Sequence, residues 1–182
     1  FYGPKGTGLL VVGNGNRRVR LKPQIVGGGQ QRHLRSGTMN PAGTVGLATA
    51  LRLCLDDMPG QQLHARQLRD ELNRRLCDAI AGIELNGPSL SGPDRLPGNL
   101  NLVLPGVEGS AWMSATPEVA FSSGSACSSV EAKPSHVLTA LGLSESAARR
   151  SVRFGVGRFN TADEIDDASE QLIESYRRLS TQ

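Results

Sequence analysis

Cys127 stands in the stretch Ser122-Ser123-Gly124-Ser125-Ala126-Cys127-Ser128-Ser129, one thiol among five serines and a glycine. Val119-Ala120-Phe121 precede it. Ser and Gly compete with helix and strand by favouring turns and caps, so the stretch predicts a mobile, partly exposed loop. A free thiol ionises near pH ~8.5, and the thiolate is a soft nucleophile. On a loop it can be reached by solvent and by a reactant, unlike a buried structural cysteine. Taken alone, the stretch is read more simply as an ordinary polar loop with an incidental cysteine.

The other candidate groups carry less. Cys54 and Cys77 fall in helical patterns and are expected to be small core hydrophobes. The three cysteines are odd in number and widely spaced, with no CxxC or Cys/His ligand spacing, so no structural zinc or other metal site is expected. This usage suits a reducing, cytoplasmic compartment. His33, His64 and His136 sit in no motif. Gly3-Pro4-Lys5-Gly6-Thr7-Gly8 lacks the spacing and the terminal Lys-Ser/Thr of a phosphate loop and predicts a tight turn. The net charge of +3 is mild. Basic residues are spread in pairs such as Arg17-Arg18 and Arg149-Arg150, which is no nucleic-acid footprint. No apolar run approaches the roughly 20 residues of a membrane span. No signal peptide is visible, although Phe1 in place of Met leaves the natural start open.

The elements that must position these groups follow from periodicity. Leu9 to Val12 predicts a short buried strand, Gly13 to Asn16 a turn, and Arg17 to Leu21 a returning strand. Gly27 to Thr38 is a polar loop whose glycine triplet permits close approach of a ligand or a neighbouring subunit. Pro41 opens a helix to about Asp57, with Val45, Leu47, Ala48, Leu51 and Leu55 on an apolar face. Pro59-Gly60 is expected to break it. A second helix is predicted from Gln61 to Ala81, where Leu68, Leu72, Leu76 and Ile80 recur every four residues and Leu63 comes earlier. Strands are expected at Ile83–Leu85, Asn99–Leu104, Val119–Phe121 and Ser151–Val156, and short helices at Ser110–Ala115, Ser135–Leu141 and Ser144–Arg149. Thr161 and Glu164 form a capping box that starts a last helix to about Leu179. Strands interleaved with helices predict an α/β or α+β layer fold, and 182 residues make one domain, or one and a part.

The wording of the cysteine loop resembles the active-cysteine loop of cysteine desulfurases of the NifS-like group. Further segments match that family in order: Tyr2-Gly3-Pro4-Lys5-Gly6, Gly27-Gly28-Gly29-Gln30, Arg35-Ser36-Gly37-Thr38, Asn99-Leu100-Asn101, Gly106-Val107-Glu108-Gly109 and Val152-Arg153-Phe154. Several ordered motifs are far more specific than one. The resemblance implies the C-terminal half of a fold-type I enzyme dependent on pyridoxal 5'-phosphate. Residues 1–57 would then end the large domain, and 58–182 would form an α+β small domain carrying the cysteine loop.

It further implies L-cysteine as substrate, labilised by the electron-withdrawing cofactor. Cys127 would take the sulfur as a persulfide, leaving alanine, and pass it to an acceptor or iron–sulfur scaffold protein. Arg153 would clamp the substrate carboxylate with its planar fork. Thr38 would reach the cofactor phosphate of the partner subunit in a homodimer; otherwise it is a turn residue before the Pro41 helix. Arg158 is taken as structural. The family's cofactor lysine would sit immediately before Phe1, so the 182-residue chain alone is expected to be inactive. Two other readings stay open: a related lyase or aminotransferase in which Cys127 carries no sulfur, and a cofactor-free persulfide carrier.

Overall fold

A helix needs an apolar stripe and a cap, but a strand needs a neighbour. That difference separates the two parts of the chain. The computed structural model describes residues 1–13, 19–123 and 135–181. The chain divides into two compact units, Phe1–Met58 and Pro59–Gln182.

In the first unit, α1 (Pro41–Asp56) is the one long element. Asn40 caps it, its Oδ1 accepting from the Gly43 N–H at 3.0 Å. Pro41 fits at the first position because an N–H there would have no acceptor within the helix. The apolar face expected of this helix is largely uncovered: Val45 and Leu55 are exposed, and only Gly43 and Ala50 are buried. The expected strand at Leu9–Val12 does not form. These residues have no ladder partner among the described residues, and Leu10 and Val11 are 76% and 79% exposed. Of the returning strand, Arg17 and Arg18 lie outside the described residues, and Val19 to Leu21 have no regular structure. An apolar β-branched run supplies strand propensity but cannot satisfy its own amides.

The break between the first two helices falls at Asp57, not at Pro59-Gly60. α2 (Met58–Ala79) carries Pro59 and Gly60 in its first turn, where proline is tolerated. Its buried stripe is Leu68, Leu72 and Leu76, continued by Ile80. Leu63 is exposed instead.

The second unit is built on a four-stranded antiparallel sheet of order β1-β2-β4-β3, with β1 (Glu84–Leu85), β2 (Asn99–Val103), β3 (Ser122–Ser123) and β4 (Ser151–Gly155). Side chains alternate across it. Leu100, Leu102, Val152 and Phe154 face a core completed by α2, by Trp112 of α3 (Gly109–Ala115) and by Ile165 and Leu172 of α6 (Ala162–Ser180). Each fully buried Leu or Phe contributes about 1.5–3 kcal/mol by leaving water. The strand expected at Val119–Phe121 sits at Ser122–Ser123, because Phe121 packs as an aromatic anchor. Its ring stacks on Phe154 at 5.0 Å and meets the edge of Trp112 at 5.4 Å.

Trp112 Nε1 donates to Leu172 O at 2.9 Å, which ties α3 to α6 with its one polar atom satisfied. The capping box of α6 forms as expected, with Thr161 Oγ1 accepting from Glu164 N and Glu164 Oε2 from Thr161 N. Two glycines are required by close approach: a Cβ on Gly98 would overlap Val156 O, and one on Gly109 would lie 2.8 Å from Ser151 O. Two short helices, α4 (His136–Ala140) and α5 (Glu145–Arg149), precede β4.

Candidate functional site

The face of the sheet away from the core is polar. Arg153 lies on it in β4, paired with Asn101 of β2 on one side and Ser122 of β3 on the other. Directly opposed residues share a face, with Cβ atoms roughly 4.5–5.5 Å apart. The Arg153 side chain is exposed, and among the described residues it has no hydrogen-bond or ion-pair partner. A planar, permanently charged fork in that state is suited to a carboxylate or phosphate.

Part of this face is buried, and groups there hold the polar residues in place. Asn86 is buried and gives both hydrogens of its amide away: Nδ2 donates to Asn101 Oδ1 at 2.8 Å and to Ser151 Oγ at 3.0 Å. The backbone N–H of Asn86 also donates to Asn101 O at 2.9 Å. Ser151, fully buried, donates in turn to Ala147 O at 2.8 Å.

The 86–98 loop that carries Asn86 is fastened by two buried guanidinium groups. Arg95 donates to Asn86 O and Pro88 O and, at 3.1 Å, to Asn99 Oδ1. Burial, and then the nearby Arg69 charge, pull its pKa below the usual guanidinium value. Arg69, 1% exposed, donates to Leu90 O at 2.9 Å and pairs with Asp70 at 2.6 Å. Asn86, Asn101 and Arg95 received no role from sequence reasoning. Asn99-Leu100-Asn101 stood out as a family-like segment and as a half-buried strand, and neither signal discloses a network.

Cys127 lies outside the described residues, as does the rest of 124–134. What is described is the ground it starts from. Ser123 donates its N–H to Met113 Sδ at 2.9 Å, and Phe121 is clamped in the aromatic cluster. Cys127 is the fourth residue after Ser123, a reach of at most about 14 Å at 3.3–3.6 Å per residue.

Thr38 belongs to the first unit. The loop before it is folded by a bridge between Ile25 and Arg35, by Ser36 Oγ donating to Gly28 O at 2.6 Å, and by Gly37 N donating to Gln30 Oε1 at 3.2 Å. Gly37 has φ +102°, a conformation that favours glycine. These bonds use up the neighbours of Thr38 but not its own hydroxyl, which is exposed and has no partner among the described residues. It stands just before the N-terminus of α1, where backbone dipoles favour an anion. A free hydroxyl at that place is suited to donate to an anionic group such as a phosphate.

The other cysteines depart from expectation. Cys77 is exposed and Cys54 half-buried. Cys77 follows the buried Leu76, and one residue along a helix turns the side chain about 100° away from the core stripe. Partial desolvation, and then Asp78, raise its thiol pKa. His64 Nε2 donates to Asn160 O at 2.9 Å, a packing role. Among the described residues no group of three or more His, Cys, Asp or Glu is placed to hold a metal ion, and no helix is long and apolar enough to cross a membrane.

The family model described as Aminotransferase class-V matches residues 1–167. The chain is 43% identical over 179 residues to a protein named cysteine desulfurase IscS from Anaeromyxobacter dehalogenans, covering 98% of this chain and 43% of that protein. It is 42% identical over 179 residues to a mitochondrial cysteine desulfurase of Arabidopsis thaliana, covering 98% of this chain and 39% of that one. Among solved structures, it resembles a NifS-like protein with a TM-score of 0.74 at 27% identity, over 90% of this chain and 41% of the other. It resembles a NifS-like protein from Rickettsia africae with a TM-score of 0.71 at 25% identity, over 90% and 41%. The chain thus spans about two fifths of the length of the relatives it matches.

Proposed function

The chain belongs to the class-V aminotransferase family, and from that premise we propose that it is the C-terminal part of a cysteine desulfurase. The whole protein would convert L-cysteine to L-alanine and place the sulfur on Cys127 as a persulfide for iron–sulfur cluster assembly or another sulfur-transfer route. The observation that carries this reading is the strand pairing that sets Arg153 beside Ser122, the residue that opens the cysteine stretch.

The chain's own residues divide the work. Arg153 binds the substrate carboxylate through paired N–H···O bonds and so orients the amino acid. The Cys127 thiolate attacks the substrate sulfur. A sulfur–sulfur bond forms, the carbon–sulfur bond breaks, and its electron pair stays on the substrate carbon, which takes a proton to become alanine. Thr38 would hold the cofactor phosphate through its hydroxyl, in the partner subunit's site of a homodimer. Pyridoxal phosphate, the cofactor on which the family depends, supplies the electron withdrawal that makes the carbon–sulfur bond labile when bound. A reducing compartment, the cytoplasm in a bacterial cell, suits a route that needs free thiolate.

Substitution of Cys127 by Ser in the full-length protein tests the proposal. Cofactor absorbance is expected to persist while sulfide and persulfide production is lost. Retained desulfurase turnover would remove the sulfur-carrier role and favour a lyase or aminotransferase. On the same reading the 182-residue chain, being only part of the enzyme, has no activity by itself.

A further inference from the structure

The geometry points to Asn101 as a second, fixed donor to the substrate carboxylate, acting beside Arg153. This rests on the reading of Arg153 as the carboxylate clamp and extends it to a residue with no assigned role.

Asn101 and Arg153 are direct partners across the β2–β4 pair and share the polar face. The carboxamide of Asn101 has a defined orientation. Its Oδ1 accepts from Asn86 Nδ2 at 2.8 Å, and a flipped amide would set donor against donor. The flip is excluded from the other side too, because Asn86 is buried, its Nδ2 also serves Ser151 Oγ, and its N–H and C=O are bonded to Asn101 O and Arg95. Asn101 Nδ2 is therefore turned away from Asn86, and no described residue accepts from it.

Two donors without protein acceptors thus stand on opposed residues of one sheet face. A carboxylate has two oxygens and about four acceptor positions, more than one guanidinium fork fills. The fork alone leaves its anion free to swing with a long, exposed side chain. A short amide locked by a buried network does not swing, so Asn101 fixes where the carboxylate sits. The buried Asn86–Ser151 pair is the support that holds this donor in place, as a binding site on a rigid strand requires.

Calorimetric titration of the full-length, cofactor-loaded protein tests this with two probes. L-alanine carries the carboxylate; ethylamine is the same amine skeleton without it. Asn101→Ala is expected to weaken L-alanine binding roughly tenfold to a hundredfold, the loss of a hydrogen bond to a charged group. Ethylamine binding should not change, and KM for L-cysteine should rise with kcat largely kept. Asn101→Thr retains an acceptor for Asn86 and should show the same selective loss if the alanine variant does not fold. Equal weakening for both probes in the folded variant would make Asn101 merely structural. Unchanged L-alanine binding in both variants, with a loss in Arg153→Ala, would overturn the second donor alone. Unchanged binding in Arg153→Ala would overturn the clamp and this inference with it.

Discussion

Ser122 and Arg153 are Cα partners across the antiparallel β3–β4 pair, so the strand that leads into the cysteine stretch is registered against the arginine of the polar face. The core side of the same pair is held by Phe121, whose ring stacks on Phe154 one residue beyond Arg153. Sulfur chemistry at Cys127 would thus start from a fixed base, with carboxylate recognition built into the same two strands.

Removing that base should loosen the reaction without touching the thiol. Phe121→Ala deletes the stack on Phe154 and the edge contact with Trp112. Because Phe121 is only half-buried, the expected loss of stability is about 2–3 kcal/mol, at or below the low end for aromatic-to-alanine changes. Denaturant unfolding of the full-length variant measures this, and persulfide formation per active site should fall as well. Unchanged stability would mean that the aromatic cluster does not anchor the strand.

Arg153 carries the proposed substrate contact. Arg153→Ala should lower kcat/KM for L-cysteine by about tenfold to a hundredfold, equivalent to roughly 1.5–3 kcal/mol for a charge-assisted contact. Arg153→Lys keeps the charge but not the fork and should recover only part of the loss. Steady-state kinetics with both variants decides it, and an unchanged kcat/KM in Arg153→Ala argues against the clamp.

Acid should release Glu71 from the two arginines it holds on α2. Glu71 accepts from Arg74 and Arg75, and these bonds hold its carboxyl down to about 2 from an ordinary 4.5. Arg75 also reaches Asp166 of α6 at 2.5 Å. A carboxyl whose folded value is depressed adds stability above its unfolded pKa and loses that contribution as pH falls toward the folded one. The window is therefore between about pH 4.5 and 2. A carbon-detected NMR titration should place the Glu71 midpoint near the lower end and move it upward in Arg74→Ala. Glu71 is only half-buried on the helix surface, so the effect on global stability is expected to be small and reduced by salt.

Thiol chemistry separates the three cysteines. Cys77 is exposed, yet its raised pKa leaves little thiolate near neutrality, so access alone does not make it reactive. Under native labelling, with mass spectrometry to locate the adduct, Cys127 is expected to react before Cys54 and Cys77. Faster modification of Cys77 would contradict the expectation, read from the sequence, that Cys127 is the reactive thiol. Expressed by itself, the 182-residue chain should aggregate, because Leu10, Val11 and Val45 stand exposed on the first unit.

What sequence alone disclosed follows the range of the forces involved. Leu68, Leu72, Leu76 and Ile80 announce a buried helical stripe because four-residue spacing is a local property. Thr161 and Glu164 announce a cap for the same reason. Leu9 to Val12 misled, because strand propensity is local while strand pairing is not. Pro59 misled in the other direction, since a proline breaks a helix interior but opens a first turn. The Asn86 network was illegible: its partners Asn101 and Ser151 lie 15 and 65 residues along the chain, and only the folded sheet brings them together. Arg153 was found through the motif around it, but its place opposite Ser122 and Asn101 needed the register.

The central claim is that sulfur leaves L-cysteine and arrives on Cys127. The most direct measurement exposes the full-length, cofactor-loaded protein to L-cysteine carrying heavy sulfur, in the absence of reductant and acceptor, and maps the peptides by mass spectrometry. The account predicts one additional heavy sulfur atom on the peptide containing Cys127, alanine formed in equal amount, and no such atom on the peptides containing Cys54 or Cys77. Alanine formation with an unmodified Cys127 would contradict it.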